Sequence, residues 1–208
     1  MAEKKLIAVL VRHGDTAEND AGVFRSRLDP HLNKKGIRQA EAAAKFIKEN
    51  YDVYKIVSSP LSRAVETADI ISETVGVSVE QDRALISWAL GSCLTGRDKK
   101  LYADILDFYV DHPDKVPPEG EALEDLEQRT QEFFESEFKK TKKDSIPVYV
   151  THSSNILTLG NLLDEKAKNR QESGELVGPG GVMAVHENKD GYELEAVFGK
   201  EVDNEFGS

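Results

Sequence analysis

Cysteine is all but missing from this chain of 208 residues: Cys93 stands alone, so no disulfide can form within it. A lone thiol suits a reducing compartment and leads us to expect a cytoplasmic protein. Cys93 itself reads as a small, partly buried residue rather than a reactive one. Long apolar runs are missing too. The longest, Leu6 to Val11, is far short of a membrane span, and no signal-peptide core follows Lys4 and Lys5. No Pro/Gly/Ser-rich linker, repeat or low-complexity stretch divides the chain. One domain over residues 1–208 is therefore expected, with 39% hydrophobic residues to fill its core. Cations are outnumbered, 27 Lys and Arg against 38 Asp and Glu, for a net charge of −11. That balance argues against a nucleic-acid surface. It still permits a small anionic ligand, because a few arginines in a cleft reverse the sign locally.

What is present is a pair of apolar, β-branched runs that each stop at a histidine. Val9-Leu10-Val11-Arg12-His13-Gly14-Asp15-Thr16 is one, and Val148-Tyr149-Val150-Thr151-His152-Ser153-Ser154 is the other. Such runs read as buried parallel strands, and open α/β sheets bind ligands at the C-terminal ends of their strands. Between them, Ile37, Ala40, Ala44 and Ile47 fall at helical spacing, predicting a helix over 36–50. Residues 55–58 predict a short strand. A helix with Ala64, Ala68, Ile71 and Val75 on one face follows and stops at Gly76. Further strands are expected at 77–79, 146–151, 182–185 and 192–198, the last two as a hairpin around Lys189-Asp190-Gly191 after a turn at 178–181. Helices are expected over 101–110, 121–140 and 155–167, with loops over 17–34 and 83–100. Of Trp88, Tyr102 and Phe108, at least two are expected to pack a core rather than line a pocket. The alternation of strands and helices makes the class α/β, with a layered sheet.

The chemistry-bearing residues are few. A histidine is a usable nucleophile near neutral pH. A guanidinium beside it, as Arg12 is beside His13, can hold two phosphate oxygens at once. Gly14 would let backbone approach a ligand closely. Ser58-Ser59-Pro60-Leu61-Ser62-Arg63 is a strand end running into a helix. Arg63 then lies in the first helical turn, near its positive end, where an anion is favoured. His152 could bind phosphate or orient His13. A metal site built from His13, His152 and a carboxylate finds no close ligand spacing in support.

Taken in order, these segments resemble the histidine phosphatase superfamily, the phosphoglycerate-mutase-like group. The resemblance rests on residues 10–16 with Asn19, on Leu32 to Ala40, on Ser59 to Ala68, and on Thr151-His152-Ser153. Pro117-Pro118-Glu119-Gly120-Glu121, followed by Arg129, is similar to the family's Pro-Gly-Gly-Glu stretch, and Gly178 to Met183 to a common strand entry. The resemblance implies a three-layer α/β/α sandwich with a mostly parallel central sheet. It implies a phosphomonoesterase in which His13 becomes a phosphohistidine while Arg12, Arg63 and His152 hold the phosphate oxygens. It places Gly14, Thr16, Asn19, Arg25, Glu121 and Ser153 around the substrate, with Arg27 as added positive charge. It calls for no metal or organic cofactor and for a small phosphorylated substrate, or inorganic phosphate, as the only partner. It leaves oligomeric state open.

One departure stands out. The family usually supplies a general acid four or two residues before a glycine, and here those positions hold Ser87 and Ala89, ahead of Gly91. Three alternatives follow: another carboxylate (Glu121, Asp98 or Asp15) replaces it, the leaving groups need little protonation, or the protein binds phosphate without turnover. A mutase is a further alternative, disfavoured by the short 83–100 segment. Substrate specificity is expected from loops 17–34 and 84–120.

Overall fold

The computed structural model describes residues 4–141, 145–163, 177–189 and 191–199. Six strands form one sheet: β1 (Lys5–Arg12), β2 (Val53–Ser58), β3 (Val79–Gln81), β4 (Ile146–Thr151), β5 (Val182–Asn188) and β6 (Gly191–Phe198). Their spatial order is β3-β2-β4-β1-β5-β6. The first four run parallel, and β5 and β6 close one edge antiparallel. Seven α-helices surround the sheet: α1 (Ala17–Asp20), α2 (Lys34–Asn50), α3 (Ser62–Val75), α4 (Gly91–Leu94), α5 (Ala103–Asp111), α6 (Leu123–Phe138) and α7 (Ser153–Leu163), with a 3₁₀ turn at Arg83–Leu85. This is the expected mostly parallel α/β/α sandwich.

Two-residue alternation along the strands sorts side chains between two cores. Val9, Val11, Val148 and Val150 pack against Ala43, Ala44 and Ile47 of α2 and Ala64, Ala68 and Ile71 of α3. Ala8, Leu10 and Tyr149 face the other way, onto Phe134 and Phe138 of α6 and Ile156 and Leu159 of α7. Both faces are covered, which is why these strands read as unbroken apolar runs instead of alternating ones. A third, smaller core gathers Phe24, Trp88, Leu90, Leu94 and Leu126, with Tyr102 partly buried against it. Trp88 and Tyr102 thus pack as expected, while Phe108 is 47% exposed.

The differences from expectation are local. The 17–34 segment is interrupted by the four-residue α1, and 83–100 contains a 3₁₀ turn and α4. All three are single turns, too short to show periodicity. The strand expected at 77–79 pairs instead at Val79–Gln81, where Ile56, Val57 and Ser58 provide its ladder. Helix α7 begins at Ser153, two residues before its apolar pattern does; its expected end at 164–167 lies outside the described residues, as does Asp190 of the hairpin turn. Gly76 ends α3 in the left-handed conformation, with φ of 79°.

Register sets the site. In the β1–β4 ladder Arg12 lies opposite Thr151, so the next residues, His13 and His152, leave neighbouring strands side by side. The His13 N–H donates to the Thr151 carbonyl at 3.0 Å, and the Ser59 N–H to the Val150 carbonyl at 2.9 Å. Three strand ends are thereby stitched together at one edge. Behind them the chain leaving β1 passes against the first turn of α2, and a Cβ on Gly14 would collide with the Gly36 carbonyl. Gly14→Ala should cost about 1–3 kcal/mol or more through overpacking. A urea midpoint unchanged from wild type would refute that tight crossing.

Candidate active site

His13 is fully buried at the end of β1. Its Nδ1 lies 2.7 Å from the Gly14 carbonyl oxygen. A carbonyl only accepts, so Nδ1 carries the proton and Nε2 keeps its lone pair. The Arg63 Nε–H donates to that Nε2 at 3.2 Å. Arg63, in the first turn of α3, is itself 1% exposed. Its remaining donors reach the carbonyls of Leu28, at 2.6 Å, and Ser26, at 3.1 Å. Burial brings its pKa down to about 10, so it stays a cation at neutral pH.

His152 faces His13, with ring centroids 5.1 Å apart and planes tilted by 58°. Its Nε2 meets Ser59 Oγ at 2.8 Å. Ser59 Oγ also accepts the Leu61 N–H at 3.3 Å. Nδ1 of His152 is buried without a hydrogen-bond partner among the described residues. Burial first, and then the surrounding guanidinium groups, hold both imidazoles well below their ordinary pKa. For His13 the cations are Arg25, Arg63 and Arg12, with His152 adding to them; for His152 they are Arg63, Arg25, Arg129 and Arg12.

Arg12 leaves β1 beside His13, and its Nη1 donates to the Val177 carbonyl at 3.0 Å. Arg25 arrives from the loop after α1. Its Nε and Nη1 are buried with no hydrogen-bond partner among the described residues. Burial, then the like charges of Arg12 and Arg63, lower its pKa to about 9. Guanidinium groups crowded together in this way favour the entry of an anion. The structure thus brings His13, Arg63 and His152 together, with the charges of Arg12 and Arg25 acting on the same imidazoles.

Other expected residues serve the frame. Gly14 does come close to a backbone, but the backbone belongs to α2. Its N–H donates to Thr67 Oγ1 at 3.1 Å, so it is not turned toward a ligand. The Thr16 N–H and hydroxyl both reach Asn19 Oδ1, each at 3.1 Å, closing α1 as a cap. Glu121 is held by Arg129, at 2.8 and 3.1 Å, and by Arg27, at 2.9 Å. Both of its oxygens are engaged by guanidinium groups, which fix the carboxylate within the frame. Ser153 opens α7, half-buried beside His152. Of the other candidate acids, Asp15 is ion-paired to Lys35 at 3.2 Å. Asp98 caps the N–H groups of Lys100 and Leu101. Ser87 Oγ lies 3.4 Å from Ser154 Oγ, and the Ala89 N–H reaches Glu121 Oε2 at 3.4 Å.

Sequence reasoning assigned no role to Ser59, which orients His152, or to Thr67, which bonds both the Gly14 N–H and the Arg63 carbonyl. Thr67 could have been found, since it sits four residues after Arg63 on the same face of a helix. Ser154 gives no signal in the sequence beyond adjacency. No cluster of three or more potential metal-binding side chains occurs among the described residues, and no helix among them is long and apolar enough to cross a membrane.

Neutral imidazoles buried in this way couple stability to pH. Below about 6.5 the unfolded chain takes up protons that folded His13 and His152 refuse, so stability falls as pH drops. The loss is up to about 1.4 kcal/mol per pH unit for each histidine. Exposed His31, whose pKa is raised by its pairing with Glu66, acts weakly in the opposite sense. The Tm should decline from pH 7.5 to 5, more steeply in wild type than in His152→Asn. Equal slopes would mean that the folded protein protonates His152.

A profile of the Histidine phosphatase superfamily (branch 1) matches residues 8–198. A 2,3-bisphosphoglycerate-dependent phosphoglycerate mutase from Thermoplasma acidophilum is 32% identical over 151 residues, covering 72% of each chain. Phosphoserine phosphatase 1 from Hydrogenobacter thermophilus is 31% identical over 150 residues, covering 70% of each. The structure of a phosphoserine phosphatase from Entamoeba histolytica in complex with 3-phosphoglyceric acid superposes with a TM-score of 0.76 at 25% identity, covering 93% of this chain and 97% of that one.

Proposed function

The chain belongs to the histidine phosphatase superfamily, and from that footing we propose that it is a phosphomonoesterase acting on a small phosphorylated metabolite through a phosphohistidine at His13. The observation that carries this reading is the 3.2 Å approach of Arg63 Nε to His13 Nε2, with Nδ1 on the Gly14 carbonyl. One ring nitrogen is locked as donor, and the other presents its lone pair where a guanidinium can hold the incoming phosphoryl group.

Phosphoryl transfer asks mainly for positioning and charge stabilisation. Arg12, Arg25 and Arg63 supply positive charge to the equatorial oxygens, and His152, whose Nδ1 is buried without a partner among the described residues, stands beside them as a further polar group. The Nε2 lone pair forms the N–P bond as the P–O bond to the leaving group breaks. Water then attacks phosphorus, the N–P electron pair returns to Nε2, and inorganic phosphate leaves. The scheme routes no step through a metal ion. The relatives named as phosphatases support hydrolysis. Return of the phosphoryl group to an organic acceptor, the reaction in the Thermoplasma relative's name, would use the same imidazole but would need a phosphorylated primer.

Wild type should release nitrophenol from p-nitrophenyl phosphate, and His13→Ala should not. A quench under non-acidic conditions should trap phosphate on His13, mapped by mass spectrometry. Arg63→Ala should lower kcat/KM by about 10²-fold or more, because it removes charge stabilisation at the reacting group. Turnover that survives His13→Ala sinks the covalent mechanism, and near-wild-type kinetics for Arg63→Ala removes that residue from the reaction.

A further inference from the structure

Ser87 and Ala89 leave the leaving oxygen without a proton donor from their segment, and the carboxylates nearest to them are engaged. Glu121 is clasped by Arg129 and Arg27, and Asp29 accepts from the Ser62 N–H and hydroxyl. Glu18 differs. It lies on α1, two residues beyond the cap residue Thr16, in the stretch of chain that follows the nucleophile directly. Its Oε2 is buried and has no hydrogen-bond partner among the described residues; the Asp15 oxygens share that lack of a hydrogen bond, but Lys35 stands 3.2 Å from one of them. Its charge is felt by both Arg25 and Arg63, the latter being the side chain that touches His13 Nε2. Glu18 is thus a half-buried carboxyl group within electrostatic reach of these two guanidinium groups.

Resting on the phosphohistidine reading above, we propose that Glu18 is the general acid that protonates the leaving oxygen. Two roles follow from one position. Before substrate arrives, the Glu18 carboxylate offsets part of the charge of Arg25 and Arg63. When a phosphate group joins these guanidinium groups, its own negative charge takes over that pairing and sits beside the carboxylate. Like charges at close range raise a carboxyl group's affinity for a proton, so binding itself loads Glu18. As the N–P bond forms on His13, the P–O electron pair passes to the leaving oxygen, which takes the Glu18 proton and departs as an alcohol. In the second step Glu18, now a carboxylate, accepts a proton from the water that attacks phosphorus. Atoms and charges balance over the cycle, and the carboxyl group ends protonated.

The test compares leaving groups. Kinetics of wild type, Glu18→Gln and Glu18→Asp are measured with glycerol 3-phosphate, an alkyl ester that needs a proton, and with p-nitrophenyl phosphate, which needs little help. Glu18→Gln should lose about 10²–10⁴-fold in kcat on the alkyl ester and less than about tenfold on the aryl ester. The alkaline limb of the alkyl-ester pH profile should vanish with it, and Glu18→Asp should restore part of the rate. Equal losses on both esters would make Glu18 a structural or charge-balancing residue and overturn the assignment. So would a wild type that turns over the aryl ester through His13 but not the alkyl one, since no acid would then be at work. Inertness toward both esters overturns the phosphatase reading and the assignment together.

Discussion

A guanidinium group buried at the heart of the molecule is the constraint around which the site is organised. Arg63 is 1% exposed and has no carboxylate bonded to it among the described residues. An isolated charge in such a place would be prohibitively costly. It is tolerated because every face of the fork meets an acceptor: two main-chain carbonyls from the 25–30 loop and the imidazole itself. The loop must therefore fold over the helix end. Ser26 accepts the strain of a positive φ, 52°, to bring its carbonyl into place. His13, Arg63 and the loop that closes over them are one mutually dependent unit.

Much of this was legible in the chain, for a physical reason. Strands buried on both faces leave long β-branched runs, and a run that stops at Arg12-His13 or Thr151-His152 marks where the sheet meets its ligand. The helix over Ser62–Val75 announced itself by its apolar face and by Gly76, which placed Arg63 in its first turn. Arg25, by contrast, lay in a stretch without periodicity, and only the family resemblance drew attention to it.

What could not be read was the use made of small polar groups. Gly14 looked like a residue that admits a ligand, yet it admits the first turn of α2, because tertiary crossing distances are invisible in a linear pattern. Glu121 looked like a substrate contact or an acid, yet it is consumed by Arg129 and Arg27, which reach it from a helix face and a loop 94 residues away in the case of Arg27. Asn19 spends its side-chain carbonyl on Thr16. Each of these placements has the same origin: a polar group in a crowded interior must first satisfy its neighbours, and those neighbours are chosen by the fold rather than by sequence proximity.

The small aromatic core around Trp88 has a consequence for diversification. The segment leading into it is fastened by Thr151 Oγ1 of β4 to the Leu85 carbonyl and by Asn155 Nδ2 of α7 to the Ile86 carbonyl, and its buried apolar members group apart from the two larger cores. Such an annex can be remodelled piecemeal, one aromatic exchanged for another, while the strand ends keep their register. Descent with an unchanged reaction and a shifting menu of substrates is what that architecture makes easy.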